Sequence, residues 1–118
     1  MKRGEDRNFD KYLPEFIDIS KANHRFIYQC LMSILTSIER LRTNKVVSPR
    51  TMHATLVVVG KEFEDITVYS TPTMAVDIKL YILSVIDKWV KDDLEREEYE
   101  SCTNLTNISN KIWLDSYV

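Results

Sequence analysis

Glycine, proline, cysteine and histidine are all scarce in this chain. It has two glycines and three prolines in 118 residues. A β-sandwich or barrel built on tight turns needs many more turn residues, so that class is excluded. The two cysteines, Cys30 and Cys102, are too few for a disulfide framework and lack metal-ligand spacing. Cys30 sits in an apolar stretch and reads as a small core residue. The two histidines, His24 and His53, have no Cys, Asp or Glu at a spacing typical of a metal site. They read as surface or helix-start residues. No apolar run is long enough to span a membrane. The opening "MKRGEDRNFD" has no apolar h-region of a secretory signal, so a cytosolic or nuclear setting is expected. No set of residues reads as catalytic, none reads as a metal site, and no cofactor is expected. "VVVGKE" lacks the second glycine and the Lys-Ser/Thr pair of a phosphate loop.

What is present is an ordinary globular composition, 44% hydrophobic, in a length suited to one domain. The net charge of −2 conceals an asymmetry. Residues 1–60 hold ten Lys/Arg and six Asp/Glu, whereas residues 61–118 hold six and twelve. The balances, +4 and −6, are consistent with the total. Four basic residues, Arg40, Arg42, Lys45 and Arg50, cluster near one helix junction. They form a candidate basic patch for weak nucleic-acid binding. Lys and Arg also gather at helix C-termini for dipole reasons alone, and duplex binding normally leaves a stronger basic footprint. The acidic run "DDLEREEYE", which includes the pair Asp92–Asp93, reads as a solvated helical end.

The periodicity predicts five helices. A short first one covers Leu13 to Asp18, with Pro14 suited to the first turn. From about Asn23 to Arg42, Phe26, Ile27, Cys30, Leu31, Ile34, Ile38 and Leu41 make one wide apolar stripe. A third helix restarts at "SPRT", with Ser48 as N-cap and Pro49 at N1. The next stretch, read as a short fourth helix before the long fifth one, contains "LVVVGKEF", where three valines favour a strand. No second strand or hairpin turn is available to pair with such a strand, and its backbone groups would stay unsatisfied. Leu56, Val59, Phe63 and Ile66 instead follow helical spacing. Gly60 inside that helix reads from the residues alone as a kink or a C-cap. The next helix opens at Pro72 or Thr73 and runs to about Glu98 on Ala75, Ile78, Ile82, Val85, Ile86 and Trp89. The last stretch reads either as a further helix through Leu105, Ile108, Ile112 and Trp113 or as a loosely docked tail. "NLT" and "NIS", at Asn104 and Asn107, match the glycosylation acceptor pattern by chance in this reading. The expected organisation is an all-α bundle of helical hairpins over residues 10–98 and a C-terminal extension over residues 99–118.

"VGKEFEDITVYS", from Val59, resembles the core of the N-terminal domain of transcription elongation factor TFIIS. The likeness runs through Val59, Gly60, Lys61, Phe63, Ile66, Tyr69 and Ser70. It continues through Ile82, Val85, Ile86, Lys88 and Trp89 of "ILSVIDKW", and upstream through Ile34, Ile38, Leu41, Val47 and Ser48. It covers about residues 26–91. The chain departs from the family in having Val57 where Thr is usual, in a longer spacing to Trp89, and in "ITVY" where a basic element is usual. Ile17 and Asp18, just before the long second helix, resemble the Ile-Asp loop of a branch of the same superfamily, the integrase-binding domain of lens epithelium-derived growth factor.

The resemblance implies a compact right-handed bundle in which Gly60 lies at a close helix–helix crossing. It implies a nuclear, monomeric docking module of RNA polymerase II transcription elongation or chromatin regulation, without enzymatic activity. Its partners would be short disordered peptide motifs of nuclear factors, held by Ile17, Asp18, Tyr69 and Thr71. The competing readings are a helical scaffold or viral adaptor subunit unrelated to transcription, or weak nucleic-acid binding through the basic patch.

Overall fold

The computed structural model describes residues 12–43 and 47–114. Four helices make up most of it: α1 (Ala22–Thr43), α2 (Pro49–Tyr69), α3 (Pro72–Glu95) and α4 (Tyr99–Leu114). No strand occurs among the described residues, as the all-α reading expected.

The segment expected as a first helix, Leu13 to Asp18, forms turns instead. Ile17 N–H donates to Pro14 O at 3.2 Å, one turn that does not propagate. Six residues cannot recover the cost of helix nucleation. Asp18 also diverts the backbone, because its Oδ1 accepts from Ser20 N–H at 3.0 Å and from Ser20 Oγ at 2.7 Å. The segment is nevertheless held down. The Trp89 indole N–H donates to Tyr12 Oη at 3.1 Å, and Tyr81 Oη donates to the Tyr12 carbonyl.

In α1 the expected stripe is buried: Ile27, Leu31, Ile34, Ile38 and Leu41 lose nearly all exposure, and Leu35 joins them. The valine-rich segment is helical. Ser48 caps α2 by accepting from Thr51 N–H at 3.1 Å, and Pro49 occupies the first turn. A strand would place Val57 and Val59 on one face. Here Val59 is fully buried while Val57 is 55% exposed. Val59, Phe63 and Ile66 fill the core, together with Thr55, whose hydroxyl donates to Thr51 O at 3.0 Å. Gly60 has no positive φ, and the helix continues through it to Tyr69, so it is not a C-cap. α1 and α2 are antiparallel. Phe26 lies against Tyr69 with ring centroids 4.5 Å apart, and Cys30 lies beside Glu62 and Asp65. This register puts Gly60 level with the Ile34–Leu35 turn of α1.

Two residues, Ser70 and Thr71, join α2 to α3. Thr71 caps α3 by accepting from Met74 N–H at 3.1 Å, and Pro72 follows it. α3 buries Ala75, Ile78, Ile82, Leu83, Val85, Ile86 and Trp89. It was expected to reach Glu98 but ends at Glu95. Glu97 takes φ 60°, and its N–H donates to Leu94 O at 3.0 Å while Glu98 N–H donates to Asp93 O at 2.8 Å. That pair of bonds is a Schellman motif, with glutamate at the left-handed position that glycine usually takes. The chain turns there and α4 descends antiparallel to α3. The segment expected as an extension thus closes the bundle: Leu105, Ile108 and Ile112 are fully buried, whereas Trp113 is 58% exposed. The helices run up, down, up and down, with α1 between α2 and α4.

A buried carboxylate ties three helix ends at the top of this bundle. Asp93, on α3, is 1% exposed. Arg42, from the last turn of α1, donates Nε to Asp93 Oδ2 at 2.9 Å and a terminal nitrogen to Oδ1 at 2.6 Å. Ser101, from the first turn of α4, donates Oγ to Oδ2 at 2.5 Å, and Arg96 adds a third cationic donor to Oδ1. The Arg42 guanidinium also lies 5.1 Å from the centre of the Trp89 ring. The acidic run therefore is not wholly solvated. Asp92 faces water and pairs with Lys88 at 3.1 Å, but Asp93 faces inward.

Burial alone would raise the Asp93 carboxyl, but the bonds from Arg42 and Ser101 and the charges of Arg42 and Arg96 outweigh it and hold it below the usual range. Its contribution to stability is fully present above the unfolded carboxyl value of about 3.9 and fades as pH falls toward the folded value. Asp93→Asn should destabilise the protein at pH 7 by roughly 3–5 kcal/mol. The variant should also lose less stability than the parent between about pH 4 and pH 2. Urea denaturation at each pH checks both; parallel pH curves for the two proteins would refute the role of the carboxylate. Glu97→Gly should relieve the left-handed strain and raise stability by about 1 kcal/mol in the same assay. A lowered midpoint would contradict that account.

Candidate docking site

Three chain segments lie at the bottom of the bundle: the turns before α1, the end of α2 and the start of α3. Asp18 organises the first. Its side chain accepts both Ser20 bonds, its carbonyl accepts from Lys21 N–H at 3.0 Å, and its own N–H donates to His24 Nδ1 at 2.9 Å. His24 is thus a helix-start residue, as expected. The Arg25 guanidinium closes the turn by donating to Ile19 O at 3.1 Å and Ser20 O at 3.3 Å. The hydrogen bonds from Ser20 lower the Asp18 carboxyl below its ordinary value, so it is an anion at neutral pH. Both Ser20 bonds fall on Oδ1; Oδ2 has no partner among the described residues.

The four expected partner-binding residues separate into different roles. Asp18 is exposed. Tyr69 is 49% exposed and rests on Phe26. Thr71 is exposed, and its hydroxyl oxygen is engaged in capping α3. Ile17 differs from the exposed position expected of it: at 4% exposure it packs in the core. Its apolar neighbour Ile19 is the exposed one, together with Val68 and Val76 at the same end. Sequence spacing could not tell Ile17 from Ile19, because the turns around Asp18 have no helical period. Between Tyr69 and Thr71, Ser70 Oγ is buried and lacks a hydrogen-bond partner among the described residues. Such a group costs about 1–3 kcal/mol.

The basic patch also divides. Arg42 is consumed by Asp93, which holds its guanidinium firmly protonated, so it is not part of a free cationic surface. Lys45 lies outside the described residues. Arg40 and Arg50 are exposed and share an open hollow of about 390 Å³ between the top turns of α1 and α2. A second hollow of about 360 Å³ lies between the start of α2 and the polar face of α4, where Asn107 and Asn110 face Met52. Asn104, in the first acceptor triplet, donates to Leu41 O at 3.4 Å and helps dock α4 on α1.

Metal-ligand residue types converge at one place among the described residues. Cys30 Sγ and carboxylate oxygens of Glu62 and Asp65 lie within 4.8 Å of one another. Burial first, and then Glu62 and Asp65, push the Cys30 thiol up to about 12. It is therefore a protonated core thiol, and no fourth residue of these types joins the three among the described residues. The α1–α2 register that joins them is invisible in the sequence, where they stand far apart.

Comparison of the chain with protein-family models, with characterised proteins and with solved structures finds no match.

At pH 8 the raised Cys30 thiol should react with iodoacetamide about a thousandfold more slowly than an ordinary cysteine of pKa ~8.5. The Cys102 thiol, 3.4 Å from Val90 O, is raised by desolvation and then by Asp93 and should also be slow. Mass mapping of the alkylated protein before and after unfolding checks this. Rapid native labelling of Cys30 would contradict its burial.

Proposed function

We propose that this chain is a protein–protein docking module of RNA polymerase II transcription elongation or chromatin regulation, which binds short linear motifs of nuclear partners as a monomer. One observation carries the docking part. The bottom end of the bundle carries exposed apolar side chains, Ile19, Val68, Tyr69 and Val76, at the same end as the anionic Asp18. Rim carboxylates beside apolar anchors suit a peptide that orders on binding. The transcription part rests on the likeness to the TFIIS N-terminal domain. Its support is local: the segment containing Gly60 and Lys61 is a helix with Val59, Phe63 and Ile66 inward, and Trp89 is a core residue of α3. In this reading the right-handed bundle of that superfamily is the parent architecture, with the turns at Leu13–Asp18 in place of its first helix.

In mechanism, an apolar side chain of the partner packs on Tyr69 and its neighbours, while Asp18 Oδ2 accepts a backbone N–H of the same peptide. Ser20 holds the carboxylate in position, so little side-chain freedom is lost on binding. Affinity capture from nuclear extract, followed by cross-link mapping, should yield a peptide whose dissociation constant can then be measured. Tyr69→Ala should weaken it about thirtyfold, equivalent to ~2 kcal/mol. Asp18→Asn should weaken it as well, with helical signal and melting temperature nearly unchanged in both variants. Unchanged affinity in both would place docking elsewhere, and a dedicated non-nuclear partner would favour the scaffold reading.

A further inference from the structure

A thiol and two carboxylates converge where α1 and α2 run side by side. Glu62 and Asp65 stand three positions apart on α2, so one turn presents both to the same side. Cys30 faces them from α1, and its Sγ and one oxygen of each carboxylate lie within 4.8 Å of one another. The thiol is 4% exposed and the carboxylates are half-buried, so the cluster has a closed sulfur end and a wet oxygen end. Neither Glu62 nor Asp65 has a cationic partner among the described residues, whereas Asp87, Asp92 and Asp93 each have one. Lys61, beside Glu62 and one turn from Asp65, is exposed and pairs with neither. Carboxylates held side by side repel each other, and no described side chain of opposite charge offsets that here.

We propose that Cys30, Glu62 and Asp65 form a site for a borderline-soft divalent cation such as Zn²⁺, with water as the fourth ligand. The donor set selects the metal. Ca²⁺ and Mg²⁺ take oxygen ligands throughout, and a sulfur in the set disfavours them. Zn²⁺ accepts a thiolate together with carboxylates, and three protein ligands plus water is its open arrangement. Tetrahedral bonds of about 2.3 Å to sulfur and 2.0–2.2 Å to oxygen bring the donor atoms about 3.4–3.6 Å apart. A spacing of up to 4.8 Å reaches that through the side-chain torsions of Glu62 and Asp65, with both helices in place. On binding, the Cys30 S–H bond breaks, the sulfur keeps the electron pair and bonds the cation, and the proton leaves to solvent. The dication also offsets the repulsion between the two carboxylates. It ties α1 to α2, the helix that the Asp93 network does not reach. The site is independent of the docking reading.

The test titrates the intact, reduced protein with Co²⁺, a coloured stand-in for Zn²⁺, in a non-chelating buffer. A sulfur-to-cobalt charge-transfer band should grow and saturate at one equivalent. Zn²⁺ should bleach it, and Ca²⁺ or Mg²⁺ at the same concentration should not. Cys30→Ser should abolish the band, and Cys102→Ser should leave it unchanged. Glu62→Gln and Asp65→Asn should each weaken Co²⁺ binding at least about tenfold. Helical circular dichroism accompanies every variant, and the two carboxylate variants, which keep side-chain shape, decide the matter if Cys30→Ser does not fold. Uptake with no charge-transfer band, a band that survives in Cys30→Ser or disappears in Cys102→Ser, or unaltered affinity in both carboxylate variants would overturn the site. Bleaching by Ca²⁺ or Mg²⁺ would overturn the choice of metal.

Discussion

A single buried carboxylate, Asp93, fixes how three of the four helices meet. Its two oxygens receive donors from the end of α1, the end of α3 and the start of α4. Each of those ends would otherwise depend mainly on apolar contact, which resists separation but tolerates sliding and rotation. Hydrogen bonds to a desolvated carboxylate do not tolerate either, because any slip leaves the charge unpaired. The arginine that neutralises Asp93 also covers Trp89, the largest side chain of the core. Polar registration and apolar filling therefore coincide at one point.

Much of this architecture is legible in the sequence, and the illegible parts share a cause. The stripe of α1 and the inward set of α2 and α3 follow from spacing alone, because a helix that packs on one side must repeat its apolar residues every three or four positions. Ser48–Pro49 and Thr71–Pro72 mark two helix starts for equally local reasons. The inward turn of Asp93 is different. In "DDLEREEYE" nothing local separates Asp93 from Asp92, and only a partner fifty-one positions away makes one of them internal. The end of α3 was hidden because a glutamate occupies the position where glycine usually signals a Schellman turn. The closing role of α4 was hidden because its three buried residues form a narrow stripe among asparagines, serines and threonines, which also suits a tail.

The candidate surfaces follow the same division. Asp18, Tyr69 and Thr71 lie at the same end of the bundle because they stand just before α1, at the end of α2 and at the start of α3. Topology alone dictates that much. Which neighbour of Asp18 is exposed depends on how irregular turns pack, and there Ile19 replaces Ile17 as the outward residue. Likewise four basic residues in a row of text look like one patch. Folding assigns Arg42 to the interior network and places Arg40 and Arg50 on the wall of a shared hollow, so one apparent feature becomes two.

The Asp93 network omits one helix. α2 receives no donor from it, packs chiefly along α1 and meets α3 only sparingly. Its link to α3 is two residues long and contains the unpartnered Ser70 hydroxyl. The polar tie therefore joins three helices and leaves the fourth to its packing on α1. Its place along α1 is set instead by the fit of its buried face, Thr55, Val59, Phe63 and Ile66, so one bundle holds its helices by two different means.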